Sequence, residues 1–216
     1  MSAVTLPYPC LALITDSSLR PGTTLLDAVD GAAKAGGVDL VQLREKEMPQ
    51  AALLRLALDL RDITKGRNLF IVNGPFAVAA AAGADGIHLP EDGPSIEEAR
   101  RFFGQDAIIG RSVHSLEGAL RAEVAGANYV QLGSIFPTRS HPGVTPQGLD
   151  VLHETASRLR IPVLAIGGIT AANVGSVLAA GAAGCAVISA ILSAPDPRAA
   201  AGQLKAAMAG AAAEAR

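Results

Sequence analysis

Two glycine- and serine-bearing segments near the C-terminus carry the strongest chemical signal in the chain. The first reads Val163-Leu-Ala-Ile-Gly-Gly-Ile-Thr170 and the second Cys185-Ala-Val-Ile-Ser-Ala-Ile191. Each is a short apolar run that stops at small residues and then enters a helical pattern. Glycine lets backbone N–H groups approach an anion closely, and a fresh helix start adds partial positive charge. Gly167, Gly168, Ile188 and Ser189 are therefore expected to grip a phosphate. The glycines would also serve a plain strand-to-helix turn. Both halves occur together, however, in order and one strand–helix unit apart, which favours the phosphate.

Other polar residues stand where apolar runs end. Gln42, Arg44 and Lys46 alternate, so on a strand they share a face and present an amide and two cations, a plausible anion or carboxylate site. Asn73 follows the third run, and Arg111, Ser112 and His114 follow the fifth. Ser134, Thr138 and His141 follow the sixth. Imidazole titrates near neutrality and suits proton transfer, so His114, at the exit of a strand, is the candidate acid/base. Ser115 with Glu117 and Gly118 is only a partial capping signal, and helix initiation alone does not call for a histidine there. His88 is the rival, but its apolar neighbours suggest that it points into the sheet. His141 reads as a loop residue and His153 as a helix-surface residue. Asn73, Ser112 and Thr138 join Gln42, Arg44 and Lys46 as substrate-binding candidates. No metal motif, dinucleotide fingerprint or nucleophile elbow occurs, so neither a metal nor another cofactor is expected.

The elements that hold these residues repeat. Eight apolar runs recur: Leu11–Ile14, Leu40–Leu43, Leu69–Val72, Gly86–Leu89, Ile108–Gly110, Tyr129–Leu132, Val163–Ile166 and Ala186–Ile188. Between them lie Ala- and Leu-rich segments with helical spacing, such as Ala51–Ile63 and Leu116–Ala125. Strand and helix alternating at this regularity imply βαβ crossovers and a parallel sheet. Glycine-marked helix ends recur at Ala35-Gly-Gly-Val-Asp, Ala82-Gly-Ala-Asp, Ala125-Gly-Ala-Asn and Ala180-Gly-Ala-Ala, before strands two, four, six and eight. Four such quarters predict a single α/β domain over residues 1–216, a (β/α)8 TIM barrel. In that fold, functional residues sit at the C-terminal strand ends and a phosphate site commonly follows strands seven and eight.

Composition fits this reading. Half of the 216 residues are hydrophobic, aromatics make up 3% and tryptophan is absent, so Ala, Val, Ile and Leu must build the core. The net charge of −2, from 18 basic and 20 acidic residues spread evenly, argues against a nucleic-acid or acidic-membrane partner. Cys10 and Cys185 lie in apolar runs and read as buried, reduced thiols. No signal-peptide pattern or membrane span is evident, and a cytoplasmic location is expected.

On the motifs Gln42-Leu-Arg-Glu-Lys46, Val72-Asn73, Asp85-Gly-Ile-His-Leu89, Gly110-Arg-Ser-Val-His-Ser115, Leu132-Gly-Ser-Ile-Phe-Pro-Thr138, Ala165-Ile-Gly-Gly-Ile-Thr170 and Ile188-Ser-Ala190, the chain resembles the thiamine-phosphate synthase/thiazole tautomerase superfamily over essentially its whole length. The resemblance implies one of two activities. The synthase joins a pyrimidine diphosphate to a thiazole phosphate with Mg2+, using carboxylates after strands three and four and a lysine after its Pro-Thr. Here Asn73-Gly74, Leu89-Pro-Glu-Asp-Gly-Pro94 and Arg139-Ser-His141 depart from that pattern. The tautomerase aromatises a carboxythiazole phosphate by a proton shift, and its pattern resembles Asn73-Gly74, His88-Leu-Pro90 and Gly110-Arg-Ser-Val-His-Ser115. Gln42-Leu-Arg-Glu-Lys46 is the synthase form.

The expectation that weighs these motifs is a metal-free thiazole tautomerase, an isomerase of thiamine biosynthesis with His114 as proton carrier. It would bind thiazole phosphate at Gly167, Gly168, Ile188 and Ser189. Thiamine-phosphate synthase, with Mg2+, is the first alternative, and a non-catalytic phosphate-binding regulator is the second. Members of the superfamily are often dimeric, so the resemblance allows a homodimer.

Overall fold

Eight parallel strands close into a barrel in sequence order in the computed structural model, which describes residues 6–19, 24–35, 37–138, 143 and 145–214. The strands are β1 (Cys10–Ile14), β2 (Leu40–Leu43), β3 (Leu69–Val72), β4 (Gly86–Leu89), β5 (Ile108–Val113), β6 (Tyr129–Gly133), β7 (Val163–Ile166) and β8 (Gly184–Val187). Around them lie α1 (Leu25–Ala35), α2 (Gln50–Thr64), α3 (Phe76–Ala81), α4 (Ile96–Phe103), α5 (Leu116–Val124), α6 (Gly148–Arg158), α7 (Val174–Ala179), a short α8 (Ser189–Leu192) and α9 (Pro197–Glu214). The expected TIM barrel is the fold. No helix among the described residues is long and apolar enough to cross a membrane.

Strand alternation sorts the core into two layers. Cys10, Ala12, Ile14, Leu40, Ile71, Ile108, Tyr129, Leu164 and Ala186 fill the barrel interior. The intervening residues, such as Leu11, Leu13, Val41 and Leu43, face the helices and join a larger cluster with them. Both cysteines are free and buried, and burial pushes each thiol up to about 12. They are inert packing residues.

The sequence stops β5 at Gly110, but the strand runs on to Val113. Arg111, Ser112 and Val113 pair with Val130, Gln131 and Leu132 of β6. The backbone ladder, indifferent to side-chain polarity, carries the strand past the end of its apolar run. Ser112 thus sits on a rigid strand.

The glycine-marked quarters have a structural counterpart at the N-terminal face. Gly37, Gly83, Gly126 and Gly181 all take positive φ, as a left-handed helix stop requires. Two residues later come Asp39, Asp85 and Asn128, each doubly bonded to the preceding strand. Asp39 N–H donates to Leu11 O at 2.9 Å, and its Oδ2 accepts from Leu11 N–H at 2.7 Å. Asp85 makes the same pair with Phe70, and Asn128 with Ile109. Each side-chain oxygen also takes a cation from a helix: Lys205, Arg61 and Arg100 respectively. In the fourth quarter Ala183 retains only the backbone half, donating to Val163 O.

Replacing Asp85 with Ala strands the Phe70 N–H beside a buried ring and frees Arg61. Leaving such a donor unmet costs roughly 1–3 kcal/mol. Urea denaturation of Asp85→Ala should show a lower midpoint with an unchanged slope; an unchanged midpoint would mean that the clamp carries no stability.

Candidate active site

The C-terminal strand ends surround one cavity of about 1200 Å3. The residues given a catalytic, substrate or phosphate role from the sequence line it: Gln42, Arg44 and Lys46 from the β2 end; Asn73 after β3; Ser112 and His114 from β5; Thr138 after β6; and Gly167, Gly168, Ile188 and Ser189 after β7 and β8. Arg139 and His141 lie outside the described residues. Asp16, Glu91, Asp92 and Gln131, polar residues at strand ends with no role assigned from the sequence, also line it.

The floor is a polar layer across the barrel. Gln42 and Gln131, on strands opposite each other, are buried and joined by a 2.8 Å bond from Gln131 Nε2 to Gln42 Oε1. Beside them His88 does not lie in an apolar wall but points inward, with Nδ1 3.1 Å from the Tyr129 hydroxyl and Nε2 2.8 Å from Ser112 Oγ. Burial above all, with Arg111 and Arg44 nearby, pushes His88 down to about 3, so it is neutral at any working pH.

One wall is cationic. Thr15 Oγ1 accepts from the Arg44 N–H at 2.9 Å, fixing the chain where β2 ends. Glu45 turns away and accepts from Ser17 N–H, leaving Arg44 and Lys46 on the cavity side. Burial lowers Arg44 from its ordinary value while Asp16 and Glu45 raise it, and a guanidinium stays charged under such shifts. The opposing wall is made of backbone. Gly167 and Gly168 have φ of +99° and +66°. Asn173 ties this turn, accepting from Thr170 N–H at 2.8 Å and donating to Gly168 O at 3.0 Å. In α8 the Ile188 carbonyl accepts from Ile191 and Leu192, so the N–H groups of Ser189 and Ala190 precede the first turn and remain available to a ligand.

His114 stands at the rim. Its Nδ1 contacts the Glu91 carboxylate, and its carbonyl accepts from Gln147 Nε2 at 2.8 Å. A carboxylate only accepts, so Nδ1 carries hydrogen and Nε2 is left for a substrate proton. The pairing of Glu91 with His114 was hidden in the sequence because the two are 23 residues apart; only the adjacency of β4 and β5 brings them together. Ser115 caps α5, accepting from Gly118 N–H at 3.0 Å, which accounts for the helix start without the histidine.

The described residues supply no complete Mg2+ ligand set of their own. Among the described residues no cluster of three His, Cys, Asp or Glu side chains could hold a metal. Of the three carboxylates lining the cavity, Glu91 is bonded to His114, Asp16 accepts from Ser18 N–H, and Asp92 lies beside Glu91 in the loop after β4. A Cβ at Gly74 would meet Leu53 Cδ2 at 3.3 Å and Val72 Cγ1 at 3.6 Å, so a side chain there would start against α2. Magnesium titrated calorimetrically into the protein alone should give no saturable heat. Stoichiometric binding would show that the cavity holds the ion after all.

Gly168 is constrained by packing as well as by any ligand. A Cβ there would lie 2.5 Å from Pro137 O and 2.7 Å from Phe136 Cβ. Gly168→Val should therefore lose affinity for inorganic phosphate and also lose about 1–3 kcal/mol of stability, the cost of a strained left-handed residue. Phosphate titration together with thermal unfolding tests this. Normal phosphate affinity in the variant would remove Gly168 from the anion site.

Comparison with known proteins places these features in context. A family model described as thiamine monophosphate synthase matches residues 11–191. A thiamine-phosphate synthase from Methanoculleus marisnigri is 46% identical over 208 residues, covering 95% of this chain and 98% of the relative. A putative thiamine-phosphate synthase from Geobacter sulfurreducens is 46% identical over 191 residues, covering 87% and 89%. Among solved structures, thiamine phosphate pyrophosphorylase from Pyrococcus furiosus superposes with a TM-score of 0.85 at 37% identity, covering 94% and 96%. These matches overturn the expectation of a thiazole tautomerase. That reading leaned on three short motifs after β3, β4 and β5, whereas the similarity runs the length of the barrel and attaches to proteins named for the synthase.

Proposed function

The chain belongs to the thiamine monophosphate synthase family, and from that premise we propose that it is a thiamine-phosphate synthase. It would transfer the methylpyrimidine group of a pyrimidine diphosphate to the ring nitrogen of a thiazole phosphate. The C–O bond to diphosphate breaks, the C–N bond forms, and diphosphate leaves with the bonding pair.

One observation carries this reading: the cavity has two anion-accepting poles. Arg44 and Lys46 form one, and the Gly167–Gly168 turn with Ser189 forms the other. Its volume of about 1200 Å3 exceeds the roughly 300–1,000 Å3 of ordinary single-ligand pockets. A transferase acting on two phosphorylated substrates needs both features.

In this reading the thiazole phosphate sits on the backbone pole, where N–H groups surround a compact dianion. The diphosphate sits on the cationic pole, where Arg44 offers a bidentate fork and Lys46 a mobile point charge. Gln42 and Gln131 floor the space between with amide groups that orient the rings. His114, its Nδ1–H anchored by Glu91, would turn Nε2 toward the departing diphosphate and, in its imidazolium form, donate the Nε2 hydrogen as negative charge develops there. Asn73, Ser112 and Thr138 complete the polar lining. Among the described residues no three-ligand metal cluster is present, and no step is assigned to a metal.

The test is to incubate the protein with both substrates and follow thiamine phosphate and diphosphate release together. Lys46→Ala should raise KM chiefly for the pyrimidine diphosphate, and Ser189→Ala chiefly for the thiazole phosphate, each by about tenfold for one lost charge-assisted or hydroxyl contact. Absence of product from the unmodified protein would sink the reading. Equal KM changes for both substrates in both variants would sink the two-pole assignment.

A further inference from the structure

A line of three polar side chains runs from the sealed interior of the barrel to the cavity. Tyr129 from β6 is fully buried among Cys10, Ile108 and other apolar residues. Its ring lies across Gly110, where a Cβ would stand 2.2 Å from Cζ, so glycine is what lets the ring lie there. The phenol oxygen is 3.1 Å from His88 Nδ1, His88 Nε2 is 2.8 Å from Ser112 Oγ, and Ser112 lines the cavity.

The direction of each hydrogen follows from what the phenol can do. Among the described residues, the imidazole is the recorded hydrogen-bond partner of the Tyr129 hydroxyl. A buried O–H donor without an acceptor costs more than a hydrogen bond returns, so the phenol gives its hydrogen to Nδ1. A neutral imidazole carries one N–H, which must then be on Nε2. Nε2–H donates to Ser112 Oγ and occupies a lone pair there, which turns the serine hydrogen toward the cavity. With the opposite tautomer the polarity would reverse: Ser112 would donate to Nε2 and offer only lone pairs to a ligand, and the phenol hydrogen would be stranded.

We propose that Tyr129 and His88 are positioning residues that fix Ser112 as a hydrogen-bond donor into the cavity. Ser112 is thereby matched to an acceptor atom of the substrate, a ring nitrogen lone pair or an anionic oxygen, and mismatched to a donor such as an amino group. Burial keeps His88 neutral, so the setting is permanent: the imidazole relays orientation and does not exchange a proton with the substrate. The inference draws on the proposed reaction only for its kinetic readout.

The tautomer is read directly on the full-length protein without ligand by nitrogen-15 NMR of the His88 ring. The expected result is a pyrrole-type signal at Nε2 and a pyridine-type signal at Nδ1, both unchanged across the pH range in which the protein is folded. Tyr129→Phe keeps the ring and removes the hydrogen, and should shift the signals toward a mixture of tautomers. In the two-substrate assay Tyr129→Phe should lower kcat/KM about tenfold, the loss expected for one misdirected hydrogen bond. That effect should vanish in the Ser112→Ala background, because the phenol acts only through the serine. An Nδ1–H tautomer or an imidazolium in the unmodified protein overturns the proposal. So does a Tyr129→Phe loss that is the same in both backgrounds, which would mark a merely structural tyrosine. If the protein makes no product, the proposed reaction fails, while the tautomer still decides this inference.

Discussion

Register is the constraint on which everything at the mouth of this barrel depends. A closed parallel sheet places alternate side chains inside, so a slip of one residue in any strand would turn Gln42 or Ser112 out among the helices. Parallel pairing alone resists such slips weakly, since each residue's ladder bonds resemble its neighbour's. The Asp39, Asp85 and Asn128 clamps break that equivalence. Asp39 uses its N–H and carboxylate on Leu11 of β1 and its carbonyl on Leu69 of β3, locking three strands at one residue. Asp85 does the same for β3 and β5 through Phe70 and Ile108. A strand one residue out of step would offer these groups no partner. The helix cations on the same oxygens neutralise carboxylates that would otherwise be costly so close to the core.

From that fixed base, each strand changes character along its length. The interior positions are apolar near the clamps, at Cys10, Leu40, Ile108 and Leu164. They become polar one step up, at Gln42, Ser112 and Gln131, and charged or ionisable beyond, at Arg44, Lys46 and His114. Packing therefore supplies stability at one end and leaves the other end free for chemistry. Tyr129 and His88 bridge the two regimes: they are filled into the core like apolar residues, yet they present hydrogen-bonding atoms upward.

The fold was legible because strand and helix periods alternate cleanly and the four glycine-marked helix stops repeat. The cavity was legible because strand ends in such a barrel converge whatever their distance in sequence, so listing the polar residues at those ends recovered Arg44, Lys46, Ser112, His114, the Gly167–Gly168 turn and Ser189 as cavity lining. What stayed hidden was pairing. Glu91 meets His114, and Gln42 meets Gln131, through tertiary neighbours that no local spacing encodes. His88 looked apolar by its neighbours along the chain, but its face is decided by parity with Gly86 and Pro90, which puts it inside the barrel. The choice between two related chemistries was misjudged for a similar reason. Gly74 reads as a missing metal ligand, yet a Cβ there would face Leu53, so the residue reports helix packing at least as much as chemistry.

If the chain joins two anionic substrates as proposed, the task is at bottom an electrostatic one, and two poles of different build suit it. Phosphorylated substrates in one water-poor cavity repel each other strongly, because the effective dielectric there is far below that of water. A single cationic patch would attract both to the same place. Separating the poles by type avoids this. In the proposed synthase, fixed N–H dipoles at Gly168 and Ser189 would hold a phosphate whose charge does not change during transfer. Full charges at Arg44 and Lys46 are better spent on the group whose negative charge grows as the C–O bond breaks, since only interactions that strengthen in the transition state accelerate the reaction. The uncharged Gln42–Gln131 floor would then keep either field from being neutralised across the gap where the proposed bond forms.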